Sequence, residues 1–108
     1  MQIIRGFGRY AAPGGDPNHY VEHVRSPSLS VGTYSIPAGG LDDQVPHRED
    51  EIYLVTAGRA RLVTGTGEAD VAPGDLIYVP AGEPHRFTDV TEDLAVLVFF
   101  APPYSGRG

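Results

Sequence analysis

The stretch Pro46-His47-Arg48-Glu49-Asp50-Glu51-Ile52-Tyr53-Leu54-Val55-Thr56-Ala57-Gly58 places a histidine and a group of acidic residues directly ahead of an apolar run. It is answered downstream by Gly74-Asp75-Leu76-Ile77-Tyr78-Val79-Pro80-Ala81-Gly82-Glu83-Pro84-His85, where a histidine follows a Pro-x-Gly turn. Imidazole and carboxylate groups on neighbouring strands can converge on one transition metal. Working outward from Glu51, the segments 51–56, 59–64, 68–71, 76–79, 86–90 and 94–100 all read as short strands. Ala57-Gly58, Gly65-Thr66-Gly67, Ala72-Pro73-Gly74 and Pro80-Ala81-Gly82 punctuate them. That rhythm predicts an all-β sandwich or barrel. No segment of helix length carries a helical period free of Gly and Pro.

Upstream, segments 20–25 and 29–36 are β-leaning runs separated by a Ser26-Pro27-Ser28 turn. In the second, Leu29, Val31, Thr33 and Ser35 share one face, and Ser30, Gly32, Tyr34 and Ile36 the other. Residues 1–19, rich in Pro and Gly, read as an N-terminal arm, 20–101 as the barrel and 102–108 as a frayed C-terminal tail. The run Leu94-Ala95-Val96-Leu97-Val98-Phe99-Phe100 lacks polar alternation and predicts a central strand buried on both faces.

Composition removes several function classes. The 108 residues carry 14 acidic groups against 8 arginines, a formal charge of −6, which disfavours nucleic acid and anionic membrane as partners. The chain has no cysteine, excluding disulfides, zinc-thiolate sites and a thiol nucleophile. It has no lysine either, which removes Schiff-base chemistry and the P-loop lysine. No Gly-x-Ser-x-Gly elbow occurs. The N-terminus lacks an apolar run long enough for a signal peptide, and the most apolar stretch falls far short of the ~20 residues that span a bilayer. A soluble cytoplasmic protein is the expectation.

The two stretches resemble the two signature motifs of the cupin superfamily. Gly74, five residues, Pro80-Ala81-Gly82, two residues and His85 follow the second motif, with Asp89 where the family has Asn. Glu51, six residues and Gly58 follow the second half of the first motif. Its His-x-His pair is incomplete: His47 takes the second position and Val45 the first, which cannot ligate. In an alternative alignment His47 is the first histidine and Glu49 replaces the second; the former keeps the Glu51-to-Gly58 spacing intact.

The resemblance implies a double-stranded β-helix, or jelly-roll barrel, with the metal inside. The ligands carried over by position are His47, Glu51 and His85, a two-histidine, one-carboxylate set with positions open for substrate or oxygen. One divalent transition metal is expected: iron, zinc, nickel, manganese or cobalt. On an extended strand Glu49 shares a face with 47 and 51, as a fourth ligand, a partner orienting a histidine, or a general base. Tyr53 and Phe87 follow as residues that line the pocket or fill the barrel. His19 and His23 lie outside the motifs and read as surface residues.

Three functions compete. The leading one is a metal-dependent enzyme acting on a small organic molecule by oxygenation, isomerisation or polyketide-type cyclisation. The second is a non-catalytic ligand-binding cupin, which the incomplete first motif keeps open. Sugar-nucleotide epimerisation ranks last, because only Arg59, Arg61 and Arg86 could meet a diphosphate. The apolar Ile3-Ile4-Phe7 patch suits a homodimer.

Overall fold

The barrel is built by two strands much longer than the Gly/Pro spacing predicts. In the computed structural model, which describes residues 1–106, six strands follow in chain order: β1 (His19–Arg25), β2 (Ser30–Ile36), β3 (Asp50–Thr64), β4 (Gly67–Val71), β5 (Leu76–Val79) and β6 (His85–Ala101). All pairings are antiparallel, in the order β1-β2-β6-β3-β4, with β5 against the first half of β3. The described residues contain no helix, and so none long and apolar enough to cross a membrane. The architecture is the all-β jelly roll that the motifs imply.

The expected break at Ala57-Gly58 is a bulge instead. Gly58 adopts φ +84°, and the β3–β6 register shifts between Val55 and Arg61. A side chain there would meet the Asp93 carbonyl oxygen at 2.2 Å, so glycine is required by both conformation and space. The bulge changes which residues face inward. Glu51, Tyr53 and Val55 are buried on the first half of β3, Ala60 and Leu62 on the second. The same switch occurs on β6, from His85 and Phe87 to Val90, Leu94, Val96, Val98 and Phe100. Because both strands change face together, Leu62 lies opposite Phe87 and Tyr53 opposite Val98, and one continuous core results.

The sheet's outer face carries an apolar band. Val31, Phe99, Ile52 and Tyr78 are register neighbours across four strands. Phe99 is 38% exposed, a departure from the fully buried strand expected of this run. The N-terminal arm docks beside this band. The Gly8 amide donates to Thr33 Oγ1 at 2.9 Å, and the Ala11 amide to Ser35 Oγ at 3.1 Å. Ile3 and Phe7 remain exposed.

At the other end the expected fraying fails for Tyr104. Its amide donates to Ser30 Oγ at 2.9 Å, and its ring stacks on Phe100 with centroids 4.7 Å apart. Arg107 and Gly108, the last residues of that predicted tail, lie outside the described residues.

Candidate metal centre

Two hydrogen bonds from backbone amides bring the motifs together. The Gly82 amide donates to the His47 carbonyl at 2.8 Å, and the Ala81 amide to Asp50 Oδ1 at 2.9 Å. The Pro-x-Gly turn ahead of His85 is thereby tied to the chain entering β3. Asp50 itself is exposed, a turn-holding group and no part of the interior.

His47, Glu51 and His85 converge inside the barrel, all buried, with one potential ligand atom from each lying within 4.8 Å of the others. His85 Nε2 stands 3.2 Å from Glu51 Oε1, and His47 Nδ1 faces the same oxygen. His47 Nδ1, His85 Nε2 and both Glu51 oxygens are buried without a hydrogen-bond partner. Buried polar atoms are rarely left unpaired. Two imidazoles and a carboxylate directed at one point are the donor set of a divalent transition metal, so the residues fit the group.

The protonation pattern agrees. His85 Nδ1 lies 2.9 Å from the Glu83 carbonyl, an acceptor only, so Nδ1 carries the proton and Nε2 presents its lone pair. Burial would raise the Glu51 pKa, but the two imidazoles and the Tyr53 hydroxyl beside it lower it to about 2. For His85, burial disfavours the cation, yet Glu51 and the Glu83 carbonyl together raise its pKa. Burial, followed by the Glu51 charge, pushes Tyr53 well above the ordinary tyrosine value, leaving it a neutral phenol.

Glu49 is also buried, at 2% exposure with Oε1 unpaired, but lies outside the convergent trio. Its charge reaches Tyr104, whose pKa is raised by burial first and by Glu49 next. Val45, at the first-histidine position, lines the cavity beside the cluster. Tyr53 lines it too, while Phe87 packs against Tyr53 with ring centroids 5.1 Å apart. His19 and His23 are half-buried and outside the cluster. His23 Nε2 instead meets Thr33 Oγ1 at 2.6 Å.

Sequence reading missed the polar frame around the site. Asp42, 3% exposed, accepts four hydrogen bonds: from Tyr34 Oη (2.8 Å), the Gln44 amide (3.2 Å), Gln44 Nε2 (2.7 Å) and the Phe87 amide (2.7 Å). With its nitrogen on Asp42, Gln44 turns Oε1 to the Tyr53 hydroxyl, which donates at 3.2 Å. Nothing in Leu41-Asp42-Asp43-Gln44 distinguishes it from a solvated loop, and no sequence signal marks it. The cavity, about 250 Å³, is walled chiefly by Tyr20, Tyr34, Tyr53, Phe100, Tyr104 and His47. Tyr20 lies across Gly32, where a methyl group would meet its phenol oxygen at 2.3 Å.

The cupin domain family matches residues 32–100, which include both motifs and all three converging residues. The chain belongs to the cupin family. This cupin is 46% identical over 86 residues to an uncharacterized protein of Streptomyces coelicolor, covering 80% of this chain and 82% of that one. It is 38% identical over 64 residues to the acireductone dioxygenase of Geobacillus thermodenitrificans, covering 52% of this chain but 36% of the enzyme. The crystal structure of the DMSP lyase DddQ from Ruegeria pomeroyi superposes with a TM-score of 0.73 at 26% identity, over 94% of this cupin and 54% of that chain. The named enzymes are therefore much longer than the region this cupin matches.

Proposed function

We propose that this cupin is a metal-dependent enzyme acting on a small organic molecule, with His47, Glu51 and His85 holding one divalent transition metal in the barrel. The observation that carries the reading is the convergence of three buried side chains, each offering one ligand atom without a hydrogen-bond partner, within 4.8 Å of one another. When bound, such a metal polarises a carbonyl or enolate oxygen as a Lewis acid or, if it is iron, handles dioxygen. The remaining roles belong to the chain. Tyr53, held by Gln44, contacts the substrate as a neutral hydroxyl. Glu49, buried outside the trio, is the candidate group to take or give a proton.

Oxygenation is the reaction class we favour among oxygenation, isomerisation and cyclisation. Its support is the likeness to a named dioxygenase over 64 residues; the likeness to a lyase keeps proton abstraction beside it. Val45 at the first-histidine position favours a second reading, a cupin that binds a small ligand without turnover. The same proposal includes a homodimer formed through the apolar outer band, supported by its exposed Phe99, Ile52 and Tyr78.

The test is elemental analysis of protein purified without an affinity tag, beside a His47→Ala/His85→Ala variant. Near-stoichiometric metal in the wild type, lost in the variant, is expected. Absence of metal from both, even after reconstitution, would overturn the enzyme reading in favour of the ligand-binding one.

A further inference from the structure

His47 Nδ1, His85 Nε2 and both Glu51 oxygens are shut off from solvent, although a cavity of about 250 Å³ stands beside them. For a metal or a small molecule to reach these atoms, a wall must move. Most walls are fixed. Tyr20, Tyr34, Tyr53 and Phe100 are rooted in β1, β2, β3 and β6, and His47 is tied to the Gly82 amide.

Tyr104 is attached differently. It comes from the segment after β6, whose ladder with β3 ends at the Asp50–Ala101 pair. Pro102 and Pro103 follow, and neither has an N–H to offer. Among the described residues one hydrogen bond ties segment 102–106 to the barrel, from the Tyr104 amide to Ser30 Oγ at 2.9 Å. Pro102, Ser105 and Gly106 are exposed around it.

What holds Tyr104 is therefore chiefly its ring. The ring stacks on Phe100 at 4.7 Å, meets Tyr20 edge-on at 5.6 Å and lies 5.5 Å from the His47 ring, between centroids. These rings pack on one another, so Tyr104 occupies the space beside His47. None of these contacts uses its hydroxyl. A ring stack and a single hydrogen bond are weak beside a strand ladder, and segments held in this way open locally before the fold does. We infer that Tyr104 is a displaceable plug: its ring swings off Phe100 to open the way to His47, and closes again afterwards. The ring then governs how fast the site exchanges with solvent, while the ligand atoms govern how tightly it binds. The plug rests on the metal reading above only where metal exchange is the readout.

The test separates rate from equilibrium. Cobalt uptake, and cobalt loss to excess EDTA, are timed, and affinity is measured by chelator competition at equilibrium. Removing a gate alters the barrier and not the end states, so Tyr104→Ala should speed uptake and loss alike, roughly tenfold or more, with Kd within about threefold. Tyr104→Phe should exchange as the wild type does, and Ser30→Ala should be a few-fold faster. Circular dichroism checks the fold of each variant, and Ser30→Ala, which keeps the ring, carries the test if Tyr104→Ala does not fold. Unchanged rates in the folded variants, or faster loss matched by a weaker Kd with uptake unchanged, would overturn the plug. A second arm needs no metal. In native-state hydrogen exchange the Tyr104 amide should open without denaturant dependence, roughly a hundredfold less protected than the Val98 amide in β6. Protection equal to that of Val98 would mean that the ring moves only when the barrel unfolds, and would refute the plug. Wild type that takes up no cobalt would sink the metal reading, and hydrogen exchange would then decide the plug by itself.

Discussion

His85 Nε2 stands 3.2 Å from Glu51 Oε1, and each side chain is 1% exposed. The pair joins the start of β6 to the start of β3, and the Glu83 carbonyl on Nδ1 sets the ring's orientation. Substitution of groups that merely orient a ligand costs about 10–100-fold in metal affinity. His85→Ala is therefore expected to lower affinity by more than that, measured by chelator competition. Full metal occupancy in this variant would remove His85 from the ligand set.

The metal-free protein should be most stable in a mildly acidic window. Glu51 has its pKa lowered from 4.5 to about 2, so its contribution is present above 4.5 and lost as the pH falls through about 2. His85 has its pKa raised above 6.5, so its contribution is present below 6.5 and lost as the pH rises through the folded value. The apo melting temperature should peak between about pH 4.5 and 6.5. Metal competes with the proton on His85, so loading should flatten the alkaline side and metal affinity should rise with pH. An apo melting temperature that climbs steadily to pH 8 would contradict the pairing.

Asp42 ties the 37–49 connection to β2 and β6 through Tyr34 and Phe87. Asp42→Ala strands several buried donors, each costing about 1–3 kcal/mol, so a loss of roughly 3 kcal/mol or more is expected in denaturant titration. Gln44→Leu should be milder for stability and fall chiefly on turnover, because it releases the Tyr53 hydroxyl. Equal stability losses in the two would mean that Gln44 is only another structural strut.

Phe99→Glu places a charge in the middle of the outer apolar band. Light scattering should show a dimer in the wild type and a monomer in the variant, with metal content unchanged. A wild-type monomer at the same concentration would end the dimer proposal.

Most of the fold is legible because its punctuation is chemical. The outer ends of β3, β4, β5 and β6 lie within one residue of the expected ones, and Pro80-Ala81-Gly82 marks the approach to His85. Asp89 shows why the second motif ends as it does: its φ of +49° is left-handed backbone, which Asn and Asp tolerate best. What stayed hidden depends on contacts distant in sequence. Asp42 is defined by Tyr34 and Phe87, and Tyr104 by Phe100 and Ser30, while locally each sits in what reads as an ordinary polar or Pro-rich loop. Sequence pattern also split β3, because a bulge and a turn share the same glycine signal, and β6, where the polar Thr91-Glu92-Asp93 reads as a connection.

Gly58→Ala tests that distinction. A non-glycine residue at φ +84° costs of order 1–3 kcal/mol, and collision with the Asp93 carbonyl adds to it. A loss above about 2 kcal/mol is expected in thermal or denaturant unfolding. A near-neutral change would show that the strand can relax as a true turn would.

The bulge also constrains how this barrel can vary in length. It acts as a phase shifter: upstream, odd positions of β3 point inward, and downstream, even ones do. Inserting or deleting one residue between Thr56 and Arg59 would rotate one half of the strand by a full pleat. Either Glu51 and Tyr53 would be expelled to the outer face, or Ala60 and Leu62 would. Length change here is thus quantised in pairs, with the chemistry on one side of the joint and the hydrophobic anchor on the other.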